Sequence, residues 1–251
     1  MRRLLLDVGN SRLKWALAVD DALAPSRAIA HGGDPAAIVA SIDTGMVDAI
    51  WIANVTGVQH AGALSAALQA RYGREPNFAM PEAERLGLRS AYVNPQRLGI
   101  DRWLALLAAW SRVRGAVCVA SCGTALTFDA VDTQGRHLGG IIAPGLLTAQ
   151  QAVLGATRFA GAGPDLAYDD ELGRDTEACV RQGALHACAG LVDRLAARQP
   201  EAACILTGGD AALLHAHLCG RWVVAPDIVL EGLMALASTG GPPADSSCPD
   251  G

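Results

Sequence analysis

One order of strands and helices is written twice along this chain, and a duplicated plan leaves few folds open. The first copy begins with the apolar run RLLLDVG, Arg3 to Gly9, which ends in a turn, followed by the alternating run RLKWALAVD from Arg12. Such period-two alternation marks a half-buried strand. A third strand at SRAIAHGG, a helix over 35–42, the strand DAIWIANV, the helix QHAGALSAALQARYG and a short strand at EPNFAM complete it. From Gly115 the order starts again with AVCVASCG, TALTFDAVD and RHLGGIIAPG, then LLTAQQAVLG and a helix over 177–197. The strand ACILTGG, a helix from Asp210, the strand RWVVAP and the helix IVLEGLMALA close the second copy. Repetition of this kind predicts two related α/β domains with a ligand in the cleft between them. The expected domains are 1–114 and 115–238, and 239–251 has the Gly, Pro and Ser content of a disordered end.

Composition narrows the partners. With 51% hydrophobic and 18% charged residues, the 251-residue chain carries enough apolar material for well-filled cores. Its net charge of −5, with no Lys/Arg cluster, weighs against nucleic acid or an anionic membrane, because both require a basic face. No apolar run is long enough to span a bilayer. The start MRRLLLDVGNS meets Asp7 after three leucines, too soon for a signal-peptide core, so a cytoplasmic location is expected. The seven cysteines are odd in number and lack a C-x-x-C pair, which indicates neither a disulfide framework nor a zinc site. Cys118 and Cys122 share one face of a predicted strand, where two small core residues are a better account than a metal pair. The six histidines are scattered, with no ligand pair at helical spacing.

Three groups of residues could carry chemistry. Asp7, Gly9, Asn10, Ser11 and Lys14 occupy the first hairpin, and Ser121, Gly123 and Thr124 stand at the corresponding place in the second. Glycine lets backbone approach phosphate oxygens, and the amides of a tight turn point at an anion. Asp7 suits Mg²⁺, which takes few protein carboxylates and keeps waters, and Lys14 suits developing phosphoryl charge. Taken alone, the first group is better accounted for by an ordinary β-hairpin whose Asp and Asn serve the turn. The second group is GIDRW, with Asp101 and Arg102 in the first turn of a helix. Asp101 is either a partner for the helix dipole or a general base, and Arg102 a binder of an anionic substrate group. The third group is the glycines of LGGIIAPG and LTGGD, including Gly208 and Gly209, each between a strand and a helix.

Taken in order, five segments resemble type III pantothenate kinases, of the acetate/sugar kinase and actin-like ATPase superfamily. DVGNSRLKW is similar to the family's first phosphate motif, GIDRW to its pantothenate motif and CGTALTFD to its second phosphate motif. GGIIAPG and LTGGD are similar to its later glycine segments. The resemblance implies two duplicated actin-like ATPase (ribonuclease H-like) α/β domains and ATP-dependent phosphorylation of pantothenate, the first step toward coenzyme A. It implies Asp101 as proton acceptor, and Tyr92, Gly99, Ile100 and Arg102 as pantothenate contacts. ATP would be held by Asp7, Gly9, Asn10, Ser11, Lys14, Gly123, Thr124, Gly208 and Gly209, with Mg²⁺ at Asp7. Thr176 would reach the pantothenate pocket across a homodimer interface.

One position departs from the pattern. Ser121 stands where the family has an aspartate associated with a monovalent cation, K⁺ or NH₄⁺, and a neutral hydroxyl is a poorer cation ligand. The alternatives are a paralogue of weak activity with an accessory or regulatory role, which Ser121 favours, and a small-sugar kinase of the same superfamily, which GIDRW disfavours.

Overall fold

The structure is a computed structural model that describes residues 1–156 and 167–240. It divides into two compact units. One comprises Met1–Arg85, Tyr92–Ala108 and the chain from Asp227 on, and the other Leu86–Ala91 and Ala109–Pro226.

The first unit is built on β1 (Arg2–Val8), β2 (Arg12–Val19), β3 (Ala22–Leu23), β4 (Arg27–Ala30), β5 (Ala49–Asn54) and β6 (Asn77–Phe78). Its sheet runs β3-β2-β1-β5-β6, with β4 also paired to β2. β1 is antiparallel to β2 and parallel to β5. Two helices, α1 (Pro35–Ser41) and α2 (Val58–Tyr72), connect the parallel strands. α1 starts where Pro35 presets the backbone and the Asp34 side chain accepts from Ala36 N–H; α2 stops at Gly73, in the left-handed conformation. Leu4, Leu6, Val8, Ile50 and Ile52 of the strands pack with Ile38 of α1 and Leu64 and Leu68 of α2. Burial of each such side chain contributes about 1.5–3 kcal/mol.

Two short strands follow, β7 (Glu84–Arg85) and β8 (Leu88–Arg89), then a 3₁₀ turn at Pro95–Arg97 and the helix α3 (Ile100–Val113). The second unit repeats the first. Its strands are β9 (Val117–Cys122), β10 (Ala125–Val131), β11 (His137–Pro144), β12 (Ala203–Thr207) and β13 (Trp222–Val224), in the order β11-β10-β9-β12-β13. β9 is antiparallel to β10 and parallel to β12, as β1 is to β2 and β5. The helices are α4 (Leu146–Ala156), α5 (Thr176–Ala196) and α6 (Ala211–His215). Cys118, Ala120 and Cys122 face a core with Leu185, Cys188 and Val192 of α5. Cys118 and Cys122 are thus core residues, and burial pushes the Cys122 thiol up to about 12.

The duplicated α/β plan is therefore the fold, with both sheets in one topology. The units do not follow the boundary expected at residue 115. The last helix, α7 (Ile228–Ser238), packs on β1 and β5 of the first unit, and Gly232 lies so close to α3 that a Cβ there would sit 2.1 Å from the Leu104 carbonyl oxygen. Only a helix without a side chain at this point can seat there, so the chain's end returns to the unit where it began. Of the tail expected over 239–251, Thr239 and Gly240 are held by Arg85, whose Nη2 donates to Thr239 Oγ1 at 2.8 Å and to the Gly240 carbonyl at 3.0 Å; 241–251 lie outside the described residues. No described helix is long and apolar enough to cross a membrane.

Candidate active site

In the first unit the site grows from the β1–β2 hairpin. Asp7 and Lys14 are directly opposite one another in the ladder, so both side chains leave the same face. The Gly9 amide donates to the Arg12 carbonyl at 3.0 Å and closes the turn, leaving Asn10 and Ser11 exposed at its tip. Burial pushes the Asp7 carboxyl up to about 7; the neighbouring Asp101 carboxylate adds to the shift and Lys14 opposes it. Lys14 is also tied to Asp227, at the start of α7, with Nζ 3.2 Å from Oδ1. The same carboxylate oxygen accepts from Ser26 Oγ at 2.7 Å.

Asp101 stands in the first turn of α3, where the helix dipole favours a negative charge. Its neighbour Arg102 is buried, with only 7% of its surface exposed. Arg102 Nη1 donates to the Tyr92 hydroxyl at 3.1 Å and the guanidinium lies 5.9 Å from that ring's centre. Ile100 is buried as well. Gly99 borders Asp101 directly, and its carbonyl accepts the Trp103 amide at 3.0 Å. Of the residues expected to bind substrate, Tyr92, Gly99, Ile100 and Arg102 lie on one short stretch, 92–102, whose acid lies close enough to Asp7 to act on it; Thr176 lies apart, at the start of α5.

In the second unit the β9–β10 hairpin is built to a tight tolerance. Gly123 N–H donates to Ala125 O at 3.0 Å, and Gly145 N–H donates to Thr124 O at 3.1 Å. A Cβ on Gly145 would sit 1.8 Å from the Gly123 carbonyl oxygen, and one on Gly208 2.1 Å from that of Cys122. Gly208 also has φ +100°, and the next turn is tied back by Asp210 N–H to Cys122 O at 3.0 Å. Gly145 and Gly208, from the segments LGGIIAPG and LTGGD, therefore let two strand-to-helix turns press against the hairpin. Ser121 has Thr127 and Thr207 as its cross-strand neighbours, which makes a row of three neutral hydroxyl residues.

Thr176 opens α5 after the Asp175 N-cap, whose side chain accepts from Ala178 N–H. It lines an open cavity of about 770 Å³ with Ala149 and Val153 of α4 and Cys179 and Val180 of α5. Among the described residues no group of three or more His, Cys, Asp or Glu could enclose a metal ion.

Two site neighbours carry little mark in the sequence. Asp227, the partner of Lys14, is a residue at a helix start near the other end of the chain. His31, one of the scattered histidines, reaches the Gly9 carbonyl with Nε2 at 2.9 Å. Only the helix-start position of Asp227 carried any local signal.

A family model for type III pantothenate kinase matches residues 3–198. The type III pantothenate kinase of Nitrosococcus oceani is 34% identical over 247 residues, covering 93% of each chain. Among solved structures, a protein from Campylobacter jejuni described as a Baf family transcriptional activator is 20% identical, with a TM-score of 0.59 over 94% of this chain and 98% of its own. A protein from Sinorhizobium meliloti described as a 2-dehydro-3-deoxygalactonokinase is 16% identical, with a TM-score of 0.58 over 98% of this chain and 99% of its own. The structural likenesses show the fold, that of the sugar kinases and actin-like ATPases. The sequence likenesses show more: this chain belongs to the type III pantothenate kinase family.

Proposed function

We infer that this protein transfers the γ-phosphoryl group of ATP to the primary hydroxyl of pantothenate, giving 4′-phosphopantothenate in the first step of coenzyme A biosynthesis. The observation that carries the reading is the placing of Asp101, beside the Tyr92–Arg102 pair and close enough to Asp7 to raise its pKa, in a chain of this family. Asp101 accepts the hydroxyl proton as the oxygen attacks phosphorus, the bond to the bridging oxygen breaks, and ADP leaves. Arg102, oriented by Tyr92, binds the pantothenate carboxylate. Lys14 offsets charge on the transferring group, and Asp227 holds its ammonium ready. The turn amides at 9–11, Gly123 and Thr124 take the phosphates, and Gly208 and Gly209 bring backbone close to the nucleoside.

The donor set fits Mg²⁺. A half-buried carboxyl held at a raised pKa by burial and a second carboxylate is relieved by a divalent cation, and a site with few protein oxygens is what Mg²⁺ accepts. Held by Asp7, it would neutralise phosphate charge when bound. A monovalent cation does not fit in the same way, because the row at Ser121 is neutral. The protein acts in the cytoplasm as a homodimer, with Thr176 of the partner subunit completing each pantothenate pocket.

The presence of Asp7, Lys14 and Asp101 together disfavours a purely regulatory role, and GIDRW disfavours a sugar substrate. A coupled ADP-release assay tests this. Release that depends on pantothenate is expected, and release only with a sugar, or none, would overturn the reading.

A further inference from the structure

We propose that His31 is a positioning residue for the phosphate-binding turn, setting the direction of its backbone amides. His31 holds the turn twice. Its Nε2 is 2.9 Å from the Gly9 carbonyl oxygen, and its own backbone N–H donates to the Ser11 carbonyl at 3.2 Å. The Gly33 amide donates to His31 Nδ1 at 3.1 Å. In the neutral ring that leaves the proton on Nε2, which is what a donor to Gly9 needs.

The consequence follows from peptide planarity. In a trans peptide the C=O and the following N–H point in opposite directions. Tying the Gly9 carbonyl to His31 therefore aims the Asn10 N–H away from the histidine. The bond to the Ser11 carbonyl fixes the Arg12 amide in the same manner. Gly9 is the residue most able to let its peptide rotate, and a rotated peptide would present an oxygen to the phosphates instead of a donor.

The ring itself is held. It stacks on His60 with centroids 6.3 Å apart and planes 22° from parallel. His60 is anchored in turn, with Nδ1 2.6 Å from Thr56 Oγ1, while the Thr56 hydroxyl donates to Asn54 Oδ1 at 2.7 Å. With the Thr56 proton committed to Asn54, His60 donates through Nδ1. A chain from β5 through Thr56 and His60 thus sets the plane of His31.

The proposal rests on the reading that the hairpin binds ATP, and the test separates the two. Steady-state kinetics and calorimetric affinity for Mg²⁺-ATP are measured on the full chain for His31→Phe, which keeps a flat ring without the donor, and for His31→Gln, whose amide can still reach Gly9. In the Phe variant the KM for ATP should rise about threefold to tenfold, the order of one hydrogen bond, with the KM for pantothenate unchanged. The Gln variant should recover most of the loss. His31→Asn, too short to reach Gly9, replaces the Phe variant if that one fails to fold. An unchanged KM for ATP, or equal losses for both substrates with no recovery by Gln, would overturn the proposal. Asp7→Ala is measured in parallel. If it impairs ATP use while the His31 variants do not, only the positioning role fails. If neither affects ATP, the site reading fails and this proposal with it.

Discussion

The Asp101 carboxylate occupies the space that a side chain on Gly99 would take: a Cβ at 99 would lie 2.7 Å from Asp101 Oδ1. The obstacle is the tip of a side chain rather than backbone, so an alanine at 99 can be accommodated by moving the carboxylate. Gly99→Ala should fold with nearly unchanged Tm but lose kcat, since a displaced base costs rate without costing core packing. Asp101→Asn sets the ceiling, with a loss of roughly 10²–10⁴-fold in kcat and substrate binding retained. Wild-type kcat in either variant would contradict the assignment of Asp101 as the base.

Asp7 makes stability depend on pH. The folded chain holds its proton up to about pH 7, whereas the ordinary value for the unfolded chain is 3.8. Between those limits the folded state binds more protons, so the metal-free protein should lose stability as pH rises through the window, and the penalty is complete above it. Thermal melts in a chelator at constant ionic strength should show this slope in the wild type and a flatter one in Asp7→Asn. Added Mg²⁺ should recover stability at the alkaline end. Parallel profiles for the two proteins would mean that Asp7 is not the strained carboxyl.

Gly208 combines a φ of +100° with a Cβ position 2.1 Å from the Cys122 carbonyl oxygen. The obstacle here is backbone, which cannot step aside without breaking the β9–β10 hairpin. Gly208→Ala should cost more than the ~1–3 kcal/mol of a strained backbone position alone, read as a lowered midpoint in urea. Gly190 of α5 is the contrast, because a Cβ there would meet no heavy atom within 4 Å outside its own helix. There alanine should stabilise by about 0.5–1 kcal/mol through helix propensity. Equal midpoints for the two variants would refute this account of the packing.

Ser121, with Thr127 and Thr207 beside it, should make the protein indifferent to potassium. Activity should change little when K⁺ is replaced by a non-coordinating cation at fixed ionic strength. Ser121→Asp should introduce a potassium response. Two unit charges 4 Å apart repel by about 4 kcal/mol at an effective dielectric of 20, so a carboxylate next to phosphate needs a cation between them. Steep potassium activation of the unmutated protein would show that Ser121 is incidental.

Local residue patterns specify the order of elements, the two hairpins and the helix that carries Asp101. These rest on local causes: period-two alternation in β1, β2 and β10, the Asp34-Pro35 start of α1, and Gly73 ending α2. The short strands β3, β7 and β8 left no such trace, because two residues cannot show a period. Which distant groups meet is set by tertiary packing alone. Lys14 pairs with Asp227 because α7 returns to the first sheet, and that return depends on Gly232 fitting against the backbone of α3. His31 meets Gly9 because β4 pairs with β2 in the register that sets Arg12 opposite Ala30. Such meetings are set by packing and strand register across the whole unit, and a local pattern of residue types holds no record of them.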